Sequence, residues 1–149
     1  MSEDKKNRTF VFIDERDFEI YQTLMKTHYF KGMKNIDLFL CATLIGIDVV
    51  GKPSTLDNSK KRDYFRVNDN KNKESMVILK SLAISKFDDV NVLSDEDKLF
   101  SFCEDYANAG IKQLYAWYVD KEESFENILI KELLKSWKTL DLEKIKDET

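Results

Sequence analysis

The sequence predicts an all-α fold, a compact bundle of about five helices joined by one long basic loop. Three observations point there. Only four Gly and one Pro occur in 149 residues, against 35% charged residues, a composition poor in tight turns. Apolar residues recur at helical spacing in four separate stretches. A fifth stretch, IDLFLCATLIGI at 36–47, is apolar nearly all round, the pattern of a helix buried at the centre of a bundle. With 42% hydrophobic residues the chain can build one core. The reading is a single helical domain at 14–138, a flexible N-terminal arm at 1–13 and a charged tail at 139–149.

The arm carries TFVFI at 9–13, which is open between a short strand and an extended segment. Asp14 is a natural N-cap for the first helix, whose Phe18, Tyr21, Leu24 and Met25 share one face, with Gly32 ending it. Asn35 is the next cap, before the all-apolar helix, and Gly46, Gly51 and Pro53 terminate that helix. Residues 50–73 then read as a loop with an extended piece at Tyr64–Val67. Loops this long are uncommon in compact domains unless they are functional or disordered. KESMVILKSLAISKF at 73–87 places Met76, Leu79, Ala83 and Phe87 on a stripe, with Asn70 or Asn72 as cap. Ser94 and Asp97 resemble a capping arrangement for a helix running to Tyr118, and Ser124 caps the last one, with Phe125, Ile128, Leu129, Leu133 and Trp137 as its stripe.

Within the fourth helix, FCEDYANAGIKQLYAWY at 102–118 holds a glycine inside an apolar stripe. In a helix interior Gly is about 1 kcal/mol worse than Ala, so it marks a kink, an end or a close approach of backbones. The small neighbours Ala107 and Ala109 favour two helices packing backbone to backbone at Gly110.

Charge is segregated along the chain. The net charge is −4, yet residues 26–86 hold twelve Lys or Arg against six Asp or Glu, and residues 87–126 hold three Lys against eleven acids. The opening MSEDKKNR is charged and lacks a signal-peptide run, and no apolar stretch is long enough to span a bilayer. The expectation is a cytoplasmic protein without membrane contact.

Signatures of catalysis are missing from the sequence. No phosphate-cradling glycine loop, nucleophile elbow or HExxH occurs. His28 with Cys41 or Cys103 is the one conceivable thiol and imidazole pair, and one His with two distant Cys does not make a zinc site. Asp95, Glu96 and Asp97 fit a helix start, while Glu104 and Asp105 read as a solvated edge. No enzyme activity, metal or cofactor is expected. The better candidate is a phosphate-contacting surface made of Lys52, Lys60, Lys61, Arg62, Arg66, Lys71 and Lys73, with Tyr64 beside them to stack on an unpaired base. Lys26, His28, Lys31 and Lys34 extend it only if the fold brings them together. Trp117, Tyr118 and Trp137 are candidates for a contact with a partner protein or a second copy.

The order of MKNIDLFLCATLIGI, the basic linker, ILKSLAIS and EDYANAGIKQLY resembles small accessory proteins of DNA phosphorothioation (dnd) systems and, more distantly, DndE. The resemblance covers about residues 20–118. It implies a helical, non-enzymatic component of a DNA-modification or anti-phage defence system, an oligomer whose lysine-rich surface contacts DNA backbone. Lys60, Lys61, Arg62 and Arg66 stand in the corresponding linker. The acidity and the extra helix from Ser124 to Trp137 depart from a dedicated DNA binder and shift weight to a protein partner, or to a purely structural module.

Overall fold

The apolar run at the N-terminus is a strand. A computed structural model describes residues 7–120 and 124–135; residues 1–6 of the arm, Trp137 and the 139–149 tail lie outside them. The chain falls into two units, Met1–Leu114 and Tyr115–Thr149. Helices dominate, but the all-α expectation is corrected by a two-stranded antiparallel sheet. β1 (Phe10–Asp14) pairs with β2 (Lys61–Arg66), with Phe10 opposite Arg66 and Asp14 opposite Lys61.

The extended piece expected at Tyr64–Val67 thus belongs, as far as Arg66, to a longer strand that begins at Lys61, and single helical turns flank it at Asn58–Lys60 and Asn70–Asn72. A bulge explains why alternation did not reveal it. Val11 faces Phe65 and Phe12 faces Asp63, so Tyr64 is an extra residue on β2. The slip turns Tyr64 and Phe65 both inward, where Tyr64 lies 4.8 Å from the Tyr21 ring and Phe65 lies 5.2 Å from the Phe39 ring. Side chains satisfy backbone acceptors of the strand: Asn35 Nδ2 donates to the Tyr64 carbonyl and Asn72 Nδ2 to that of Arg66, each at 3.0 Å.

Those two amides were expected as helix caps, and their work at β2 moves the helix starts onto other groups. Asp14 accepts from the Arg16 N–H at 2.9 Å, as a cap should, and leads through one turn into α1 (Phe18–Met25). This helix stops well short of Gly32; a series of turns comes next, with Gly32 at φ +87°. α2 (Asn35–Ile45) is held at its start by Asp37, which accepts from the Lys34 N–H at 3.0 Å. Gly46 caps its C-terminal end, as expected. The chain continues through one wide turn, Gly46–Val50, closed by Gly51 N–H donating to the Gly46 carbonyl at 2.9 Å, and Gly51 at φ +74° breaks the path.

α3 (Lys73–Phe87) has the expected bounds. α4 (Glu96–Tyr118) is capped by Asp95, which accepts from the Lys98 N–H at 3.1 Å, while Ser94 Oγ donates to the Asn91 carbonyl instead. In the second unit, α5 is helical over 125–135, and Ser124 Oγ caps it by accepting from the Asn127 N–H at 3.2 Å.

The core of the first unit lies where α2 meets α4. A Cβ on Gly110 would stand 1.7 Å from the Ala42 carbonyl oxygen, and one on Gly46 would stand 1.9 Å from that of Tyr106. Only hydrogen fits at either position. Ala42 and Gly46 on one side, Tyr106 and Gly110 on the other, are each four residues apart, so a full turn of each segment is in backbone contact. This is the close approach that the glycine in α4 signals.

A second anchor ties β1 to α4. The Arg8 guanidinium meets Glu104 through two bonds of 2.9 and 3.1 Å, and reaches Asp97 at 2.8 Å, Ser101 Oγ at 3.2 Å and the Phe10 carbonyl at 3.4 Å. Glu104 also accepts from the Phe12 N–H at 2.7 Å. Both side chains are nearly buried. Burial pushes the Glu104 carboxyl above its ordinary range, opposed by the Arg8 hydrogen bond and charge. Glu104 is thus an internal tether and not a solvated edge.

Both contacts can be tested through stability. Gly110→Leu or Gly46→Ala should lower the urea-unfolding free energy by about 3 kcal/mol, because a carbonyl on the facing segment has to move. Arg8→Met should cost about 3–5 kcal/mol by stranding a buried carboxylate, whereas Arg8→Met with Glu104→Met should recover part of it. A double variant no more stable than Arg8→Met would contradict the pairing.

Candidate nucleic-acid interface

β2 and the turns on either side of it present most of the predicted cations. Lys60, Arg62 and Arg66 are exposed and Lys61 is half-buried; Lys71 and Lys73 are exposed on the turn that enters α3. Because β1 and β2 are paired, aromatic side chains of β1 and α1 lie beside these cations. The Arg62 guanidinium carbon sits 3.5 Å from the centroid of the Phe18 ring, Arg66 sits 5.1 Å from that of Phe10, and Lys61 Nζ 5.4 Å from that of Phe12.

A cation held over a ring gains about 0.5–1 kcal/mol at an exposed site. The larger consequence is order. A guanidinium stacked by its face keeps its N–H groups directed along its edges, so it meets an anion with less side-chain freedom left to lose. Among the described residues, none of Lys52, Lys60, Lys61, Arg62, Arg66, Lys71 and Lys73 has a carboxylate within ion-pair distance. Arg8, Arg16 and Lys112 do have one: Glu104, Asp14 at 2.7 Å and Asp17 at 3.5 Å respectively. The acids that neighbour the basic segment in sequence are partly committed, since Asp57 and Asp69 cap the N–H groups of Ser59 and Lys71 at 3.0 Å.

Not every candidate joins this face. Tyr64 is a correction: it is only 8% exposed, in the core against Tyr21, so it does not present a surface on which a base could stack. Lys52 comes after the turn at Gly51 and belongs to the segment that leads towards β2. Lys34, from the earlier basic group, is brought in, because its Nζ donates to the Lys71 carbonyl. Trp117 and Tyr118 are half-buried, and Tyr118 packs edge-on against Phe125 at 5.9 Å in the second unit.

Several other polar groups are occupied by structure. Asp105 takes the Ser54 N–H on its backbone carbonyl and the Leu56 N–H on its side chain, at 2.9 and 3.0 Å, and Asn108 Nδ2 donates to the Ser54 carbonyl at 3.0 Å. These bonds fix the segment leading to β2. Asp17 is raised by burial, with Lys112 opposing. Burial pushes the Cys41 thiol up to about 11 and Cys103 higher still, which keeps both protonated at neutral pH and leaves neither a ready nucleophile. Among the described residues no group of three or more His, Cys, Asp or Glu is placed to hold a metal ion, and no helix is long and apolar enough to cross a membrane.

Arg8 and the aromatic partners of the cations were not singled out in the sequence. Arg8 falls in a charged N-terminal run that gives no sign of burial. The pairing of Phe10 and Phe12 with basic residues some fifty positions away depends on strand register, which local pattern does not carry.

Comparison with known proteins places the chain. A family model described as DNA sulphur modification system-associated protein 4 matches residues 15–147, which include α1 to α4, β2 and α5. No curated protein and no solved structure matches. The match spans most of the chain and agrees with the resemblance to dnd accessory proteins, and the chain therefore belongs to the DNA sulphur modification system-associated protein 4 family.

Proposed function

We propose that this protein is a non-catalytic accessory component of a DNA sulphur modification system that binds DNA backbone through the β2 face and binds a partner protein through its C-terminal unit. The observation that carries the DNA arm is the set of exposed cations on one strand and its flanking turns, without carboxylate partners among the described residues and partly ordered over aromatic rings. Cations in this state suit phosphate oxygens, whose neutralisation releases condensed counterions. On this reading the β2 cations meet phosphate oxygens, contacts that position a protein on DNA and carry no sequence information directly.

The partner arm rests on α5. Ile130, Leu133 and Leu134 are 50%, 69% and 52% exposed, a cluster of large apolar side chains that a protein surface would cover. A non-catalytic role fits Glu104 and Asp105, which tether β1 and the segment before β2 to α4, and the two thiols, which burial holds protonated.

The DNA arm is tested by titrating a labelled duplex with the full chain at about 50 and 200 mM salt. Binding at the lower salt should weaken by roughly tenfold or more at the higher, in proportion to the number of phosphates met. Lys60→Glu with Arg62→Glu and Arg66→Glu should reduce it by at least about 100-fold. An unaltered affinity in that triple variant would refute the β2 face, and no binding even at the lower salt would refute DNA contact altogether.

A further inference from the structure

We infer that the groove between the 67–70 turn and the first half of α3 is the seat of one DNA sugar with its two flanking phosphates, with Lys73 on one phosphate, Lys80 on the other and Val77 under the sugar; this rests on the DNA reading above. The groove has a volume of about 440 Å³ and is walled on one side by Val67, Asn68, Asp69 and Asn70 and on the other by Lys73, Met76, Val77 and Lys80.

The second wall is a single helical stripe. Residues 73, 76, 77 and 80 are spaced i, i+3, i+4 and i+7, so they line one side of α3 over two turns, a rise of about 10 Å. Lysines stand at the two ends of the stripe and apolar side chains between them. Val77 is 64% exposed, whereas Met76 beneath it is buried. An exposed valine flanked by two lysines suits a ligand that alternates apolar and anionic parts, and a deoxyribose between phosphates has that alternation.

The opposite wall supplies short polar side chains. Asn68 and Asn70 are exposed and can donate to phosphate oxygens. Asp69 is the one acid on the lining, and its Oδ1 is turned onto the Lys71 N–H at 3.0 Å, which holds the turn. Asn72 fixes the other side of the same turn by its bond to the Arg66 carbonyl. The turn that walls the groove follows directly on Arg66, the last cation of β2.

Neither Lys73 nor Lys80 has a carboxylate partner among the described residues. Lys80, half-buried along the stripe, did not stand out in the sequence, since it lies within a helix and outside the basic segment.

The test uses the full chain and a fluorescent duplex, with affinity measured by anisotropy across a salt series. Lys80→Gln should weaken binding and lower the slope of log affinity on log salt by about 0.9, the signature of one lost phosphate contact. Val77→Asp should weaken it about tenfold, and Val77→Ser should weaken it with the slope unchanged, which a lost charge contact would not do. Lys86→Gln, on the same helix but outside the groove, should leave both quantities as they are. Circular dichroism melts check that each variant folds.

The inference is overturned if the Lys80 and Val77 variants bind as the parent does while the β2 triple variant is weakened; DNA contact then stands and the groove has no part in it. It is also overturned if Lys86→Gln changes the slope as much as Lys80→Gln, which would mean a general charge effect. Absence of binding by the parent protein would remove the DNA reading and the groove together.

Discussion

The crossing of α2 and α4 at Gly46 and Gly110 is the constraint on which the rest of the first unit depends. With a carbonyl of the facing segment standing where each Cβ would be, the two backbones are as close as helices can come. That distance leaves no side-chain layer to absorb error. Every group that α4 offers to the remainder of the fold is therefore placed tightly relative to α2. Asp97, Ser101 and Glu104 grip Arg8 and the start of β1, Asp105 and Asn108 grip residues 54–56 before β2, and Tyr106 and Gly110 hold α2. Both strands thus hang from consecutive turns of one helix. A two-stranded sheet is marginal in water by itself, and here its pairing is imposed from both strands.

The same arrangement separates two classes of cation. Arg8 lies inside, with its donors consumed by two carboxylates, a hydroxyl and a carbonyl, and its role ends with holding β1. Arg62 and Arg66 lie outside, over the rings of Phe18 and Phe10, and are not matched by an acid among the described residues. Net charge does not distinguish them, and neither does position in the chain. What distinguishes them is whether burial has already forced a partner on the group, because an unpaired charge is tolerated only where water can reach it.

The helices were legible where periodicity decided the matter. KESMVILKSLAISKF is α3 residue for residue, Asp14 and Ser124 cap the turns after them, and Gly110 marks a backbone contact. Legibility failed where a side chain had two possible uses. Asn35 and Asn72 are good caps by type, but each is spent on a carbonyl of β2, and Asp37 and Asp69 take over nearby N–H groups. Of β2 the sequence shows only an extended piece at Tyr64–Val67, because a bulge at Tyr64 puts two aromatic residues side by side on one face and breaks the period of two. Of the candidate site, the cations could be read from composition, while the fate of Tyr64 could not, since its burial depends on that bulge.

An acidic chain can still present a phosphate-binding face, for a reason of scale. Exposed charges act over about 8 Å at physiological ionic strength, so the local balance on a strand outweighs the total over 149 residues. Part of the acidic total is also not free to repel. Glu104 is paired with Arg8 and Asp14 with Arg16, and Asp57, Asp69, Asp89 and Asp95 accept backbone N–H groups at turns and at a helix start. Carboxylates used this way cluster where helices begin and where the chain turns, as the positive ends of backbone dipoles favour. The lysines and arginines of β2 have no corresponding structural demand on their charge. Folding thus makes a demand on these acids that it does not make on the bases of β2.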